Sequence, residues 1–302
     1  MNLRTFVLVS LLVPATAALA ADGTFDKTLS LSGASIVNVS TGSGYIHVYP
    51  GTGNQVHIVG HVHSREGWLG TDTEERLRQI VAAPPIEQSG NIVTVSGPHA
   101  DANLFSNITI DYDVTAPANT RLTAHTGSGG IEIGGIQGEV TASSGSGSLH
   151  VDNIGPSAHL ESGSGRINAT NIHGGAYAQT GSGSITLAIS APGDVTAHTG
   201  SGSINIEGAA DGVRASTGSG HIEVAGSPTA EWTAHTGSGS IQLHPAPDAH
   251  FTLLASTGSG SIRTNRPMVM QGDLSRHRVS GTVNGGGPTV RASTGSGSVS
   301  VD

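Results

Sequence analysis

The nine residues TAHTGSGSI at positions 196–204 recur without change at positions 233–241, and this repetition decides the fold. Gly-Ser-Gly triplets begin at residues 127, 145, 163, 181, 200, 218, 237, 258 and 295. Most intervals are therefore 18 or 19 residues, and the last interval of 37 residues leaves room for a degenerate copy at residues 280–282. A period of this size is typical of a solenoid, in which each unit buries its apolar face only by stacking on its neighbours.

The residues on both sides of each triplet alternate between apolar and polar types, as half-buried strands do. Val195, Ala197 and Thr199 precede one triplet on a single face, and Ile204 and Ile206 follow it. Each unit is thus predicted to be a strand, a tight glycine turn, a second strand and a looser corner. Glycine suits the turn for two reasons: it reaches positive φ without a steric penalty, and identical turns must stack closely.

An alanine occupies the same place in nearly every unit, which predicts a thin, flattened coil with no internal cavity. About nine or ten coils at the spacing of paired strands, ~4.8 Å, would form a rod of roughly 45 Å. The predicted fold class is all-β: a parallel β-solenoid, or β-helix, of about 18–19 residues per coil, with an atypical N-terminal β cap that carries one short helix.

The chain is predicted to have three regions. Residues 1–20 have the features of a secretory signal peptide, with Arg4 before an apolar run and a small-residue cleavage site at residues 18–20. Residues 21–121 form the cap region, and residues 122–302 form the repetitive solenoid.

One helix is expected within the cap, near residues 73–83. Asp72 and Glu75 form a capping box at its start, Leu77 and Ile80 share one face, and Pro84 ends it.

Composition excludes several classes of function. The chain has no cysteine, so disulfides, thiolate metal sites and cysteine nucleophiles are excluded. A net charge of −9 without a basic cluster makes nucleic acid an unfavourable partner. No segment beyond the leader has the length of a membrane-spanning helix, so no transmembrane segment is predicted.

His57, His61 and His63 form the clearest candidate for a metal site. On a strand these three side chains project to one face, and two histidines two residues apart can share a zinc ion. Glu66 or Asp72 would complete the ligand set, but the spacing determines no third ligand. The alternative is three solvated histidines on an outer face, so metal binding by these residues stays open.

No other pattern in the repeats supports a catalytic or cofactor-binding assignment. The triplet serines are turn residues, and His125, His198 and His235 lie on non-adjacent coils, too far apart to share a metal. We therefore assign no catalytic residue, no cofactor-binding residue, no metal ligand and no cofactor.

The TGSGSI units, the leader and the entry segment ITIDYDVTAPANTRLTAHTGSG at residues 108–129 resemble a bacterial domain family of unknown function labelled as candidate adhesins and related to head-GIN domains. The resemblance extends from about Ser35 to the C-terminus. It implies a secreted or envelope β-solenoid and brings no catalytic residues.

The functional expectation is a non-enzymatic envelope or secreted β-solenoid, an adhesin or interaction scaffold for an unknown protein or glycan of the cell envelope. Export would place it in the periplasm, at the cell surface or outside the cell. The alternative is a polysaccharide-active β-helix enzyme, a lyase or glycosidase, with its site near the cap or near the irregular segment 263–278. The oligomeric state is left open.

Overall fold

The computed structural model describes residues 22–64, 71–96, 103–271 and 275–302, so the expected signal peptide at residues 1–20 lies outside the described residues. The described chain folds into two long sheets, sheet A of 13 strands and sheet B of 14 strands. The elements, in chain order, are β1 (Asp22–Ser30), β2 (Ile36–Thr41), β3 (Ile46–Gly51), β4 (Gln55–Ser64), α1 (Thr71–Ala82), β5 (Ile86–Ser89), β6 (Ile92–Val95), β7 (Ile108–Pro117), β8 (Arg121–Thr126), β9 (Ile131–Gly134), β10 (Val140–Ser144), β11 (Leu149–Ile154), β12 (Ser157–Ser162), β13 (Ile167–Ile172), β14 (Gly175–Thr180), β15 (Ile185–Ile189), β16 (Val195–Thr199), β17 (Ile204–Ala209), β18 (Val213–Ser219), β19 (Ile222–Gly226), β20 (Trp232–Ser238), β21 (Ile241–Pro245), β22 (Phe251–Ser259), β23 (Ile262–Thr264), β24 (Val269–Met270), β25 (Arg278–Val283), β26 (Thr289–Ser296) and β27 (Val299–Val301).

The strands stack as rungs, each rung being one strand of sheet B and one of sheet A joined by a glycine turn. Neighbouring rungs pair in parallel and in register: Ala142 lies opposite Ala124 on one side and Leu160 on the other. Equivalent residues thus lie ~4.8 Å apart along the stack. The prediction of a parallel β-solenoid with like residues stacked on like is confirmed.

The core between the sheets is thin because the repeat rungs pair a small side chain with a large one. Most rungs place alanine on sheet B and a larger residue on sheet A, as with Ala142 and Val151, which are both buried. The rung of β12 and β13 reverses this arrangement, with Leu160 on sheet B and Ala169 on sheet A. The sum of the two volumes, rather than alanine itself, sets the distance between the sheets.

The glycine turns owe their composition to close stacking. A Cβ on Gly147 would lie 1.8 Å from the carbonyl oxygen of Gly129 in the rung below, and one on Gly202 would lie 1.9 Å from that of Gly183. The expected positive φ is wrong for most turns, since it occurs among the described triplet glycines only at Gly260 and Gly297, the last glycines of two C-terminal triplets.

The residue before each triplet ties one rung to the next through a buried hydroxyl group. The Thr199 hydroxyl donates to the carbonyl oxygen of Gly183 at 2.8 Å and accepts from the Gly202 N–H at 3.1 Å. Serine takes this place in two rungs, where Ser144 and Ser162 make the same pair of hydrogen bonds. Backbone groups that the strand ladder leaves unpaired at the turn are satisfied in this way.

At the N-terminal end, β2 and β3 form a complete rung, with Thr41 opposite Thr126 and Ile46 opposite Ile131. Beyond it sheet A continues through β7, β4 and β1, in which β4 is antiparallel to both neighbours. The predicted helix is confirmed as α1, which packs on β1 and β4. Gly23 of β1 leaves space for the helix, since a Cβ there would lie 2.7 Å from Leu77.

At the C-terminal end the rungs do not follow chain order. The rung of β26 and β27 lies between the rung of β20 and β21 and the rung of β22 and β23. Val290 is accordingly paired with Trp232 on one side and Leu253 on the other. The predicted degenerate coil at residues 280–282 is wrong, because these residues belong to β25, which pairs antiparallel with β22 on one side and with the edge strand β24 on the other.

Candidate functional site

The outward face of sheet A at its N-terminal end carries histidines paired with aspartates. His57, His61 and His63 all point outward from β4, as the alternation predicts, because the inward positions hold Val56, Ile58 and Val62.

Each of these histidines contacts a carboxylate from a neighbouring strand. His57 Nε2 lies 2.8 Å from Asp26, His61 Nε2 lies 3.1 Å from Asp113 and His63 Nδ1 lies 3.0 Å from Asp22, measured to carboxylate oxygens. The partners come from β1 and β7, which flank β4.

The pattern continues across the sheet. Asp113 contacts His47 of β3 through its other oxygen at 3.0 Å, and His47 lies opposite Glu132 of β9, which lies opposite His150 of β11. His150 Nδ1 is 3.1 Å from the side-chain amide nitrogen of Asn168 on β13. We call this set the histidine–carboxylate row; its members are Asp22, Asp26, His47, His57, His61, His63, Asp111, Asp113, Glu132, His150 and Asn168.

A tyrosine hydroxyl also contacts the row. Tyr49 donates a 2.6 Å hydrogen bond to Glu132. This hydrogen bond, together with partial burial and the charges of Glu132 and Asp113, raises the pKa of Tyr49 to about 12, so the phenol keeps its proton at neutral pH. Tyr49 as a whole residue is 44% exposed, so it is accessible to a partner.

The three predicted metal-ligand candidates share a face but do not converge on one point. Each of the three histidines contacts a different carboxylate, and His63 also contacts a second one, that of Asp111, at 3.5 Å. In the described part of the chain, no group of three or more His, Cys, Asp or Glu side chains is placed to hold a metal ion. Glu66 lies outside the described residues, whereas Asp72 is in α1. The pairing places imidazoles and carboxylates side by side on the outward face of sheet A.

Three histidines of the repeats, His125, His198 and His235, lie on the outward face of sheet B. His125 is 2.8 Å from the Ser143 hydroxyl of the next rung, and Ser216 separates His198 from His235. His159 stacks on Tyr177 of the adjacent rung, with ring centroids 4.5 Å apart and planes 5° from parallel.

Three carboxylates of the repeats, Asp152, Asp194 and Glu207, make local hydrogen bonds. Asp152 accepts from the Thr170 hydroxyl at 2.5 Å and from Asn171 at 2.9 Å. The Thr170 hydrogen bond is the largest cause that holds the pKa of Asp152 below its usual value. Asp194 accepts from a backbone N–H, that of Gly212, and Glu207 from the Asn205 amide.

Sequence reasoning found the histidines of β4 but not their partners. The aspartates lie 31 to 52 residues away in sequence, and only the antiparallel placement of β4 between β1 and β7 brings them together. The alternation within the strand ITIDYDVTAP did place Asp111 and Asp113 on one face, which was the available signal.

None of the described helices is long and apolar enough to cross a membrane.

The model of the Toastrack DUF4097 family matches residues 87–302. Among solved structures, a candidate adhesin from Bacteroides fragilis is 12% identical with a TM-score of 0.41, covering 93% of this chain and 97% of that chain. A candidate cell adhesion protein from Clostridium sporogenes is 11% identical with a TM-score of 0.24, covering 93% of this chain and 98% of that chain. A candidate lipid-binding protein from Parabacteroides distasonis is 12% identical with a TM-score of 0.32, covering 92% of this chain and 96% of that chain. No curated protein matches the chain.

Proposed function

The chain belongs to the Toastrack DUF4097 family, and we propose that it is a non-enzymatic interaction protein of the bacterial cell envelope. Residues 1–20 would direct its export to the periplasm or the cell surface. The histidine–carboxylate row would be a surface through which it holds an envelope protein or glycan.

The observation that carries this proposal is the continuity of the row. From Asp113 through His47, Glu132 and His150 to Asn168, five neighbouring strands contribute outward polar groups in register. His61, on a sixth strand, contacts Asp113 from a register position two residues away. Five strand spacings make this surface about 24 Å long. Hydrogen bonds already hold most of its side chains, since Asp113 contacts both His61 and His47, and His150 contacts Asn168. An extended partner would therefore bind with a small loss of side-chain entropy.

The proposal is tested by co-sedimentation of the mature protein with washed envelopes of its native host. We expect saturable binding that weakens at least tenfold in a His47→Ala/Asp113→Ala variant, because that change removes the centre of the row. His125→Ala is the matched control, since it removes an outward histidine of sheet B that is also hydrogen-bonded to a neighbouring rung.

Binding that does not saturate, or that the row variant leaves unchanged, would contradict the proposal. So would product release from a panel of bacterial polysaccharides that the Asp113→Asn change abolishes, which would favour the polysaccharide-active enzyme instead.

A further inference from the structure

Positive charge is concentrated near the C-terminal end of this acidic chain. Residues 250–302 contain five of the thirteen Lys and Arg residues but only two of the twenty-two Asp and Glu residues. Three of the chain's arginines, Arg214, Arg278 and Arg291, lie on the outward face of sheet B. The histidine–carboxylate row lies on the other sheet, sheet A.

The three arginines are exposed and unpaired among the described residues. No described carboxylate lies within ion-pair distance of them, in contrast to Arg121, which contacts Glu139 at 2.8 Å. The outward positions of the described strands β16, β18, β20, β26, β22 and β25 include neither Asp nor Glu. Uncompensated guanidinium groups on such a face create a local positive potential.

The arginines recur at a regular interval across the strands. Arg214 and Arg291 occupy the same row position on β18 and β26, with Thr233 of β20 between them. Arg278 lies on β25, with β22 between it and β26. Two strand spacings separate Arg214 from Arg291 by about 9.6 Å. Arg278 is also displaced by two residues along its strand, since its row passes through Ser256 and Ser293, so it lies about 12 Å from Arg291.

Two shallow depressions follow this line of arginines. One, of about 340 Å³, is lined by Arg278, Arg291 and Leu254. The other, of about 440 Å³, is lined by Arg214, His198 and Tyr177. Together they extend over seven adjacent strands from β14 to β25, a length of about 29 Å. We call this surface the basic groove.

The N-terminal end of the basic groove is aromatic. Tyr177, supported by the stacked His159, presents a ring at the surface two strands from Arg214. The Thr233 hydroxyl lies between Arg214 and Arg291, and the hydroxyls of Ser256 and Ser216 lie beside the line of arginines. The groove therefore combines guanidinium groups, hydroxyls and one aromatic platform along a line.

We propose that the basic groove binds an extended anionic polysaccharide, a polyuronate, that crosses the strands of sheet B. Guanidinium groups bind carboxylates through paired hydrogen bonds, and the C–H face of a sugar ring packs on an aromatic ring. The arginines lie on every second strand, and this spacing suits a polymer whose negative charges recur at regular intervals. This site goes beyond the function proposed above, which concerns the opposite sheet.

The test is a fluorescence anisotropy titration of a labelled polyguluronate oligomer with the full mature protein, with a neutral dextran oligomer of equal length as reference. We expect saturable binding of the uronate only, weakened by added salt because exposed charges are screened. Arg214→Gln/Arg291→Gln lowers the affinity at least tenfold, since each change removes charge-assisted hydrogen bonds. Tyr177→Ala lowers it several-fold. Arg121→Gln, which removes the same charge from the same sheet at a paired site, changes it less than twofold.

Absence of uronate binding, equal binding of dextran, or unchanged affinity in the double arginine variant each overturns the inference. Light scattering tests whether a second copy of the chain occupies the groove instead. If the protein forms an oligomer, the double arginine variant is monomeric and no uronate binds, the groove serves self-association and the inference is overturned. The His47→Ala/Asp113→Ala variant retains full uronate affinity, so failure at the groove and failure of the proposed function are distinguishable.

Discussion

Replacing Gly147 with alanine tests whether close stacking of the turns holds the solenoid together. The new Cβ would lie 1.8 Å from the carbonyl oxygen of Gly129. Ordinary contacts between carbon and oxygen are about 3.3 Å, so the two turns must separate by about 1.5 Å. That shift breaks the hydrogen bond from Ser144 to Gly129, 3.0 Å long, and strains the one from the Gly147 N–H to Ser144, 2.8 Å long.

The broken and the strained hydrogen bond together cost about 1–2 kcal/mol, and overpacking costs about 1–3 kcal/mol, so the free energy of unfolding falls by about 2–5 kcal/mol. Urea unfolding followed by far-ultraviolet circular dichroism measures this quantity. The matched control is Gly134→Ala at the end of β9, where the Cβ would lie an ordinary 3.4 Å from Tyr49. The control is expected to be neutral or slightly stabilising because alanine restricts the unfolded chain. A loss below about 1 kcal/mol at Gly147, or an equal loss at Gly134, would refute the stacking argument.

Three further outcomes are expected. Thr199→Val lowers the free energy of unfolding by about 1–3 kcal/mol because the buried carbonyl group of Gly183 loses its hydrogen-bond donor. Thr199→Ser keeps this hydrogen bond, so its stability stays close to that of wild type. Equal urea midpoints for the two variants would contradict this expectation. Leu160→Ala costs about 2–5 kcal/mol and Ala169→Leu about 1–3 kcal/mol, but the double variant recovers most of the loss because total volume is restored; an additive double-mutant cycle would exclude such compensation. Thr170→Val removes the main cause of the lowered pKa of Asp152. The stability due to that carboxylate is present above its unfolded pKa and is lost as pH falls through the folded one, so the variant melts below wild type at pH 7 and the gap narrows below about pH 4; a gap independent of pH would disprove the linkage.

The repeat period and the alternation predicted much of the fold. Inward Ala197 and Ile204, the glycine turns and the short helix follow from local patterns that repeat, and local patterns are what a sequence displays directly. The glycine turns also show a limit, because composition alone did not separate positive φ from close approach, and the structure assigns nearly all of them to the latter.

Features that depend on the order of strands were not predictable. The pairs between His61 and Asp113 and between His57 and Asp26 require an antiparallel insertion that no repeat announces. Leu160 departs from the alanine pattern, and only the facing Ala169 explains why the rung tolerates it. The basic groove arises because the stack brings Arg214 to the same face as Arg278 and Arg291, whose strands do not follow chain order.

The displaced position of β26 and β27 has a consequence for how this end of the molecule is assembled. A ribosome or translocon delivers the chain from its N-terminus, so β20 to β23 emerge before the residues that must lie between them. Until Thr289–Ser296 arrives, β20 and β22 lack a shared neighbour and each presents an unsatisfied edge. The early repeats can therefore fold one coil after another as the chain emerges. The last three coils cannot, because the final segment has to insert between two strands that precede it in the chain.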